Sequence, residues 1–211
     1  MPLGSGPGYA VPGRQGSAMA VAWAGDTLLI GDMFGKVRAW SRARPKVFEW
    51  SSTGVGMVNS IAALRPEPGA TGKLVAVGYA DGSILLATAE DGKEVVRLVQ
   101  VGPQWVAVSP DGFYASSPRP GDLVSFCIDD AAGGRAYGFD EFDLYSNRPD
   151  LVLACLLQFS SKTGPFRAGA ENRRKQLYEA YRLRMDRYGL TAGSPLPSQV
   201  PKVESVDWMR N

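Results

Sequence analysis

Apolar and polar positions alternate in short runs through the first two thirds of the chain, and the runs are separated by aspartate-glycine pairs. The clearest stretch is Leu74–Leu98. Leu74–Gly78 is a short apolar run, and Asp81-Gly82 is a pair suited to a tight hairpin turn, because glycine accepts positive φ. Ser83–Thr88 returns, Asp91-Gly92 turns again, and Lys93–Leu98 is a third strand. Val58–Leu64 supplies a fourth strand ahead of them. Four consecutive antiparallel strands make a β-meander.

The meander recurs. Leu28–Trp40 aligns with Val75–Ala87, setting Gly31 on Gly78 and Gly35 on Gly82, a period of about 47 residues. In the first copy, Met19–Trp50, Val21-Ala22-Trp23 reads as the inner strand. Thr27–Ile30 and Val37–Trp40 read as the central hairpin, and Lys46–Trp50 as the outer strand. The second copy runs over Val55–Val99. A third begins at Gln104 with QWVAVSPDGFYASS, turns at Asp111-Gly112, and has Val124–Ile128 as its third strand. Repeated four-stranded meanders are the building unit of propellers. The expected fold is therefore mainly β, a partial propeller of about two and a half four-stranded blades, with a C-terminal extension of two helices. Closed propellers need roughly four to eight blades. Further blades or other chains would be required to complete the ring.

Beyond Ile128 the pattern changes. Arg135–Phe139 reads as a last short strand. Ser146 or Asn147 is placed to cap a helix with Pro149 and Asp150 in its first turn and Leu151–Leu157 as its body. Gly164-Pro165 ends it. Glu171–Tyr188 is a second helix, stopped by Gly189. It carries an apolar stripe of Leu177, Tyr181 and Met185 and a basic side of Arg173, Arg174, Lys175, Arg182, Arg184 and Arg187. The expected organisation is a Gly/Pro-rich leader or tag remnant over residues 1–17, blades over 18–139, a helical extension over 140–190, and a linker with a terminal strand over 191–211.

Composition narrows the chemistry. The chain has 211 residues, a formal net charge of +2, two cysteines and no histidine. A small net charge gives no general attraction to polyanions. Without histidine, Ser-His and Cys-His nucleophile pairs cannot form within the chain, nor can the zinc sets that need an imidazole. Cys127 and Cys155 read as buried, reduced thiols. No apolar run is long enough to span a membrane and no secretion signal is evident, so a cytoplasmic location is expected. No cofactor and no metal are expected. The Asp-Gly pairs read as turns, and Asp140, Glu141 and Asp143, with Asp129 and Asp130, as a solvated acidic loop without calcium-loop spacing.

Four residues stand out as protein-binding candidates: Trp50, Arg148, Tyr181 and Arg184. Tryptophan, tyrosine and arginine dominate interface hot spots. Arg148, between Asn147 and Pro149 at a turn, equally suits a structural role against carboxylates. The five tryptophans, Trp23, Trp40, Trp50, Trp105 and Trp208, read by default as sheet packing; one exposed near a blade end would become an interaction candidate. The basic helix could contact nucleic-acid phosphates, but Glu171, Glu179 and Asp186 interrupt it and favour pairing within the helix.

The repeats resemble bacterial WD-repeat β-propellers. SPDGFYASS, GFDEFDLYSNRPDLVL and LYEAYRLRMDRYGL are similar to the closing region of propellers that accompany caspase-like protease domains. Two features depart from that pattern. Trp40 takes the tryptophan position of the WD signature, but Ser41 follows it where aspartate is usual, and Ala87 replaces the tryptophan in the second copy. No caspase-like dyad can be carried over to a chain without histidine. The resemblance implies a non-catalytic interaction or sensor module, with a caspase-like protease as one partner. The alternatives are a structural module that completes a propeller with other chains, as a homo-oligomer or otherwise, and a nucleic-acid-binding accessory protein acting through its basic helix.

Overall fold

The computed structural model describes residues 17–41, 47–51, 56–65, 72–118, 125–128, 135–161 and 165–191. The expected leader, linker and terminal strand lie almost entirely outside these residues.

The first sheet is a four-stranded meander in sequence order: β1 (Ala18–Ala24), β2 (Thr27–Asp32), β3 (Lys36–Ser41) and β4 (Val47–Ser51). The second begins as the same unit: β5 (Val58–Ala63), β6 (Leu74–Tyr79), β7 (Ile84–Thr88) and β8 (Glu94–Val101). The two copies correspond in detail. Each inner strand has a register shift at the same place, between Ala18 and Ala20 and between Val58 and Ser60. The matching turns close alike, with Gly35 at φ 82° and Gly82 at φ 85°, a region that side-chain-bearing residues avoid. Asp32 accepts hydrogen bonds from the Phe34 and Lys36 amides, and Asp81 from the Ser83 amide and hydroxyl. Both carboxylates thus serve their turns, as the Asp-Gly reading expects for Asp81.

The sheets stack face to face. Leu29, Val37 and Ala39 from the first meet Val58, Val75, Val77, Leu85 and Ala87 from the second in one buried cluster. Gly31 lets the backbones close. A Cβ built there would stand 2.7 Å from Val58 Cβ and 3.2 Å from Ile61 Cδ1, inside ordinary contact distance. The mainly β architecture with C-terminal helices is therefore the fold found, and the sheets remain open among the described residues.

The third copy differs from its expected form. β9 (Gln104–Val108) and β10 (Tyr114–Ser116) do not begin a separate sheet. They extend the second to six strands, ordered β10-β9-β8-β7-β6-β5. The cause is a tight hairpin at Gly102-Pro103, where Gly102 has φ 57° and Val101 pairs with Gln104. The segment expected as that copy's third strand, β11 (Ser125–Ile128), pairs instead with β12 (Arg135–Gly138) in a two-stranded sheet. The edge of β10 is already taken. Tyr114 forms a parallel bridge with Asn147, and the Arg148 amide donates to the Tyr114 carbonyl at 2.9 Å.

Three helices follow where two were expected: α1 (Phe139–Ser146), α2 (Pro149–Leu157) and α3 (Pro165–Arg187). α2 lies across β8 and β10 and α3 packs on α2. Val152, Cys155, Leu156 and Phe159 cover Leu74, Leu86, Val96, Leu98 and Ala107 on the second sheet's far face. The molecule is thus layered as first sheet, second sheet, helices. Neither Ser146 nor Asn147 caps α2. Arg148 is the N-cap residue, and its guanidinium has no acceptor to offer the helix amides; the Asn147 side chain is instead turned to Asp143, to which its amide donates.

Candidate functional site

Two places in the fold concentrate chemically expressive side chains. One is internal and the other is open.

The internal place joins the helices to the sheet. Arg148 forms two parallel hydrogen bonds with Asp150, Nε to Oδ1 at 2.9 Å and a terminal nitrogen to Oδ2 at 2.8 Å. Its guanidinium carbon sits 4.0 Å from the centroid of the Tyr181 ring and 5.8 Å from that of Phe113. Asp150 is 1% exposed and Tyr181 is 7% exposed. Burial alone would lower the affinity of Arg148 for its proton, but the hydrogen bonds and charge of Asp150, helped by Tyr181, outweigh it and hold the pKa above the ordinary arginine value. The side chain is therefore a fixed cation, clamped between a carboxylate and an aromatic face.

Asp143, expected in a solvated loop, is the hub of a neighbouring set on α1. It accepts from the Tyr114 hydroxyl at 2.7 Å and the Asn147 amide at 2.9 Å, and pairs with Arg184 at 3.4 Å. Arg184 also donates to the Asn147 carbonyl at 2.6 Å, and its guanidinium lies 5.7 Å from the Tyr181 centroid. Three of the four protein-binding candidates, Arg148, Tyr181 and Arg184, thus converge on one another within the chain. Together with Tyr114 and Asp143 they fasten β10, α1, α2 and α3 together. The fourth candidate, Trp50, is in β4 with its backbone opposite Val37; its side chain lies outside the described features.

Part of the basic charge of α3 is matched by carboxylates on the same helix. Arg167 and Arg174 pair with Glu171, and Arg182 with Glu179 and Asp186. These pairs weaken any concentrated basic field along the helix. The Cys155 thiol is pushed up by burial and by the charge of Asp111, away from thiolate reactivity. Among the described residues, no group of three or more His, Cys, Asp or Glu side chains could hold a metal ion. No described helix is long and apolar enough to cross a membrane.

The open place is the outer face of the first sheet. Met19, Val21 and Trp23 alternate along β1 and are 45%, 58% and 58% exposed. Register puts Val21 opposite Ile30 and Trp23 opposite Leu28, with Trp40 next across from Leu28. The row is therefore the exposed edge of a sheet face on which Leu28, Ile30 and Trp40 are half-buried and the paired Arg38 and Asp32 are buried; the opposite face is the core. The adjoining turn adds Met33 and Phe34, also exposed. Trp105, on β9, is likewise exposed. Trp23 and Trp105 thus depart from the default of buried packing. Period-two alternation assigned each to a face without showing which faces are covered.

No protein-family model matches the chain, and no curated protein matches it. Among solved structures, the chain is similar to a computationally designed protein, Ika4, at 14% identity and a TM-score of 0.34, over 61% of this chain and 95% of that one. It is also similar to the designed protein Ika8, at 16% identity and a TM-score of 0.31, covering 51% of this chain and 35% of that one. A third likeness is to BamB from Moraxella catarrhalis, at 15% identity and a TM-score of 0.33, over 48% and 33% respectively.

Proposed function

We propose that the chain is a non-catalytic protein-interaction module that docks its partner on the outer face of the first sheet. The observation that carries this reading is the row Met19, Val21 and Trp23, each close to half exposed or more, on a rigid hydrogen-bonded strand. An exposed apolar row of this kind is costly in water and characteristic of interaction sites. The polar residues that might suggest chemistry, Asp143, Arg148, Asp150 and Arg184, hold elements of the fold together. The resemblance at Phe139–Leu153 makes a caspase-like protease the first partner class to test.

The experiment is site-specific photo-cross-linking from a benzophenone residue at position 21 of the full chain, in extract of the native host. A control carries the same group at position 173, on the exposed side of α3. A defined adduct from position 21 and none from 173 is the expected result. Equal or absent cross-linking from both positions refutes the reading.

A further inference from the structure

We infer that two copies of this chain pair along the open edge of β1, antiparallel and centred on Val21, so that their first sheets join into one continuous sheet. The inference goes beyond the interaction reading above. It concerns the backbone edge of the strand, and the occupant is a second copy of the same chain.

β1 ends the strand order of the first sheet, and among the described residues no strand pairs with its outer side. Its hairpin fixes which backbone groups point outward. The loop to β2 holds two residues, Gly25 and Asp26, with Gly25 at φ 64°, so the hairpin closes on Ala24 and Thr27 as a pair that exchanges both hydrogen bonds. Bonding to β2 then alternates. Ala24, Ala22 and Ala20 bond to Thr27, Leu29 and Gly31, and the amides and carbonyls of Trp23 and Val21 point to the open edge. An edge not shielded by charge, proline or shortness is a ready template for another strand. β1 has seven residues, Ala18–Ala24, and neither a charge nor a proline. Neighbouring β5 turns Asn59, Ser60 and Ala62 to solvent, small side chains that leave room for a second chain beside β1.

The order of side chains selects the occupant. Ala-Met-Ala-Val-Ala-Trp-Ala alternates small and large in the same way from either end. An antiparallel copy centred on Val21 sets Val21 against Val21 and Met19 against Trp23 on the exposed side, and alanine against alanine on the other. Cross-strand neighbours at this spacing cover one another, and the Met19–Trp23 pairs bring a thioether to an aromatic ring. No charge is buried or opposed. A slip of one residue would set each large side chain against alanine instead. The two-fold axis uses both edges, so association closes at two copies.

The test uses the purified full chain in a Cys127→Ala, Cys155→Ala background. Val21→Cys should link two copies by a disulfide under mild oxidation, because the axis brings residue 21 of each copy to about 5.5 Å between Cα atoms, inside disulfide range. Trp23→Cys alone should not link, since its counterpart lies about 14 Å away along the strands. An equal mixture of Met19→Cys and Trp23→Cys chains should link across copies. Sedimentation velocity of the wild-type chain should show a monomer–dimer equilibrium, and Val21→Lys should raise its dissociation constant at least about tenfold, by removing apolar burial and setting like charges on the axis. Val21→Pro deletes an amide that points away from β2, so it should weaken the dimer and leave the far-ultraviolet circular dichroism unchanged. A wild-type chain that stays monomeric at its highest soluble concentration overturns the inference, as does a dimer that links in another register or ignores both substitutions at position 21. Mass separates this inference from the interaction reading. In host extract, a position-21 adduct with the mass of two copies is this dimer, and one of any other mass is a different partner. If the purified chain is monomeric and the extract adduct persists, only the present inference falls. If neither is seen, both fall.

Discussion

Replacing Arg148 by alanine tests whether the lock holds the helices to the sheet. The substitution leaves the Asp150 carboxylate, 1% exposed, without its bidentate partner. Removing one member of a buried pair costs about 3–5 kcal/mol, most of it from the uncompensated charge that remains. Loss of the guanidinium from the Tyr181 face, at 4.0 Å, adds roughly 0.5–2 kcal/mol. A destabilisation of about 4 kcal/mol is therefore expected, a large part of the roughly 5–15 kcal/mol available to a typical domain. Urea denaturation followed by far-ultraviolet circular dichroism measures it. The double variant Arg148→Met, Asp150→Leu removes both charges and keeps apolar volume, and should recover most of the loss. A loss below about 1 kcal/mol, or one that the double variant does not recover, refutes the assignment of Arg148 as the buried clamp.

The remaining expectations address the two sheets and their turns. Trp23→Glu should leave the urea midpoint of the chain nearly unchanged, within about 0.5 kcal/mol, and abolish cross-linking from position 21. Gly31→Val should cost about 1–3 kcal/mol by urea titration, because the new side chain intrudes on Val58 and Ile61. The Asp91 carboxyl is held below its usual value, first by the hydrogen bond from Thr88 and then by that from the Lys93 amide. A depressed carboxylate contributes stability at pH values above its unfolded titration point and loses it as the pH falls through the folded one, so Thr88→Ala should move the Asp91 carboxyl carbon titration upward in an NMR pH series and weaken that acid-range dependence. In a Cys127→Ser background, Cys155 should react with thiol reagents much more slowly at neutral pH in the folded chain than in urea, because burial disfavours the thiolate.

The parts of the fold that the sequence disclosed are those in which local chemistry and register agree. The two hairpins around Gly35 and Gly82 were legible because the turn needs glycine and the flanking strands alternate with a period of two. The join between the second and third copies was not. Gly102-Pro103 resembles a break between units, yet it closes a hairpin that keeps β9 on β8. α1 was missed for a different reason. Its acidic residues suit a solvated loop, and only Tyr114 and Arg184, distant in sequence, show why Asp143 faces inward. α3 starts at Pro165, a position that reads locally as a helix breaker; proline is equally favourable in a first helical turn. Arg148 was recognisable as a structural residue from its place at a turn. Its convergence with Tyr181 and Arg184 depends on how α3 crosses α2, which no local pattern encodes.

The placement of α2 gives the stack a direction. A helix contributes no unpaired strand and no pleated surface, so growth by sheet-upon-sheet addition stops on the side it covers. Contact between one sheet face and another is thereby left to the side where Val21 and Trp23 meet solvent.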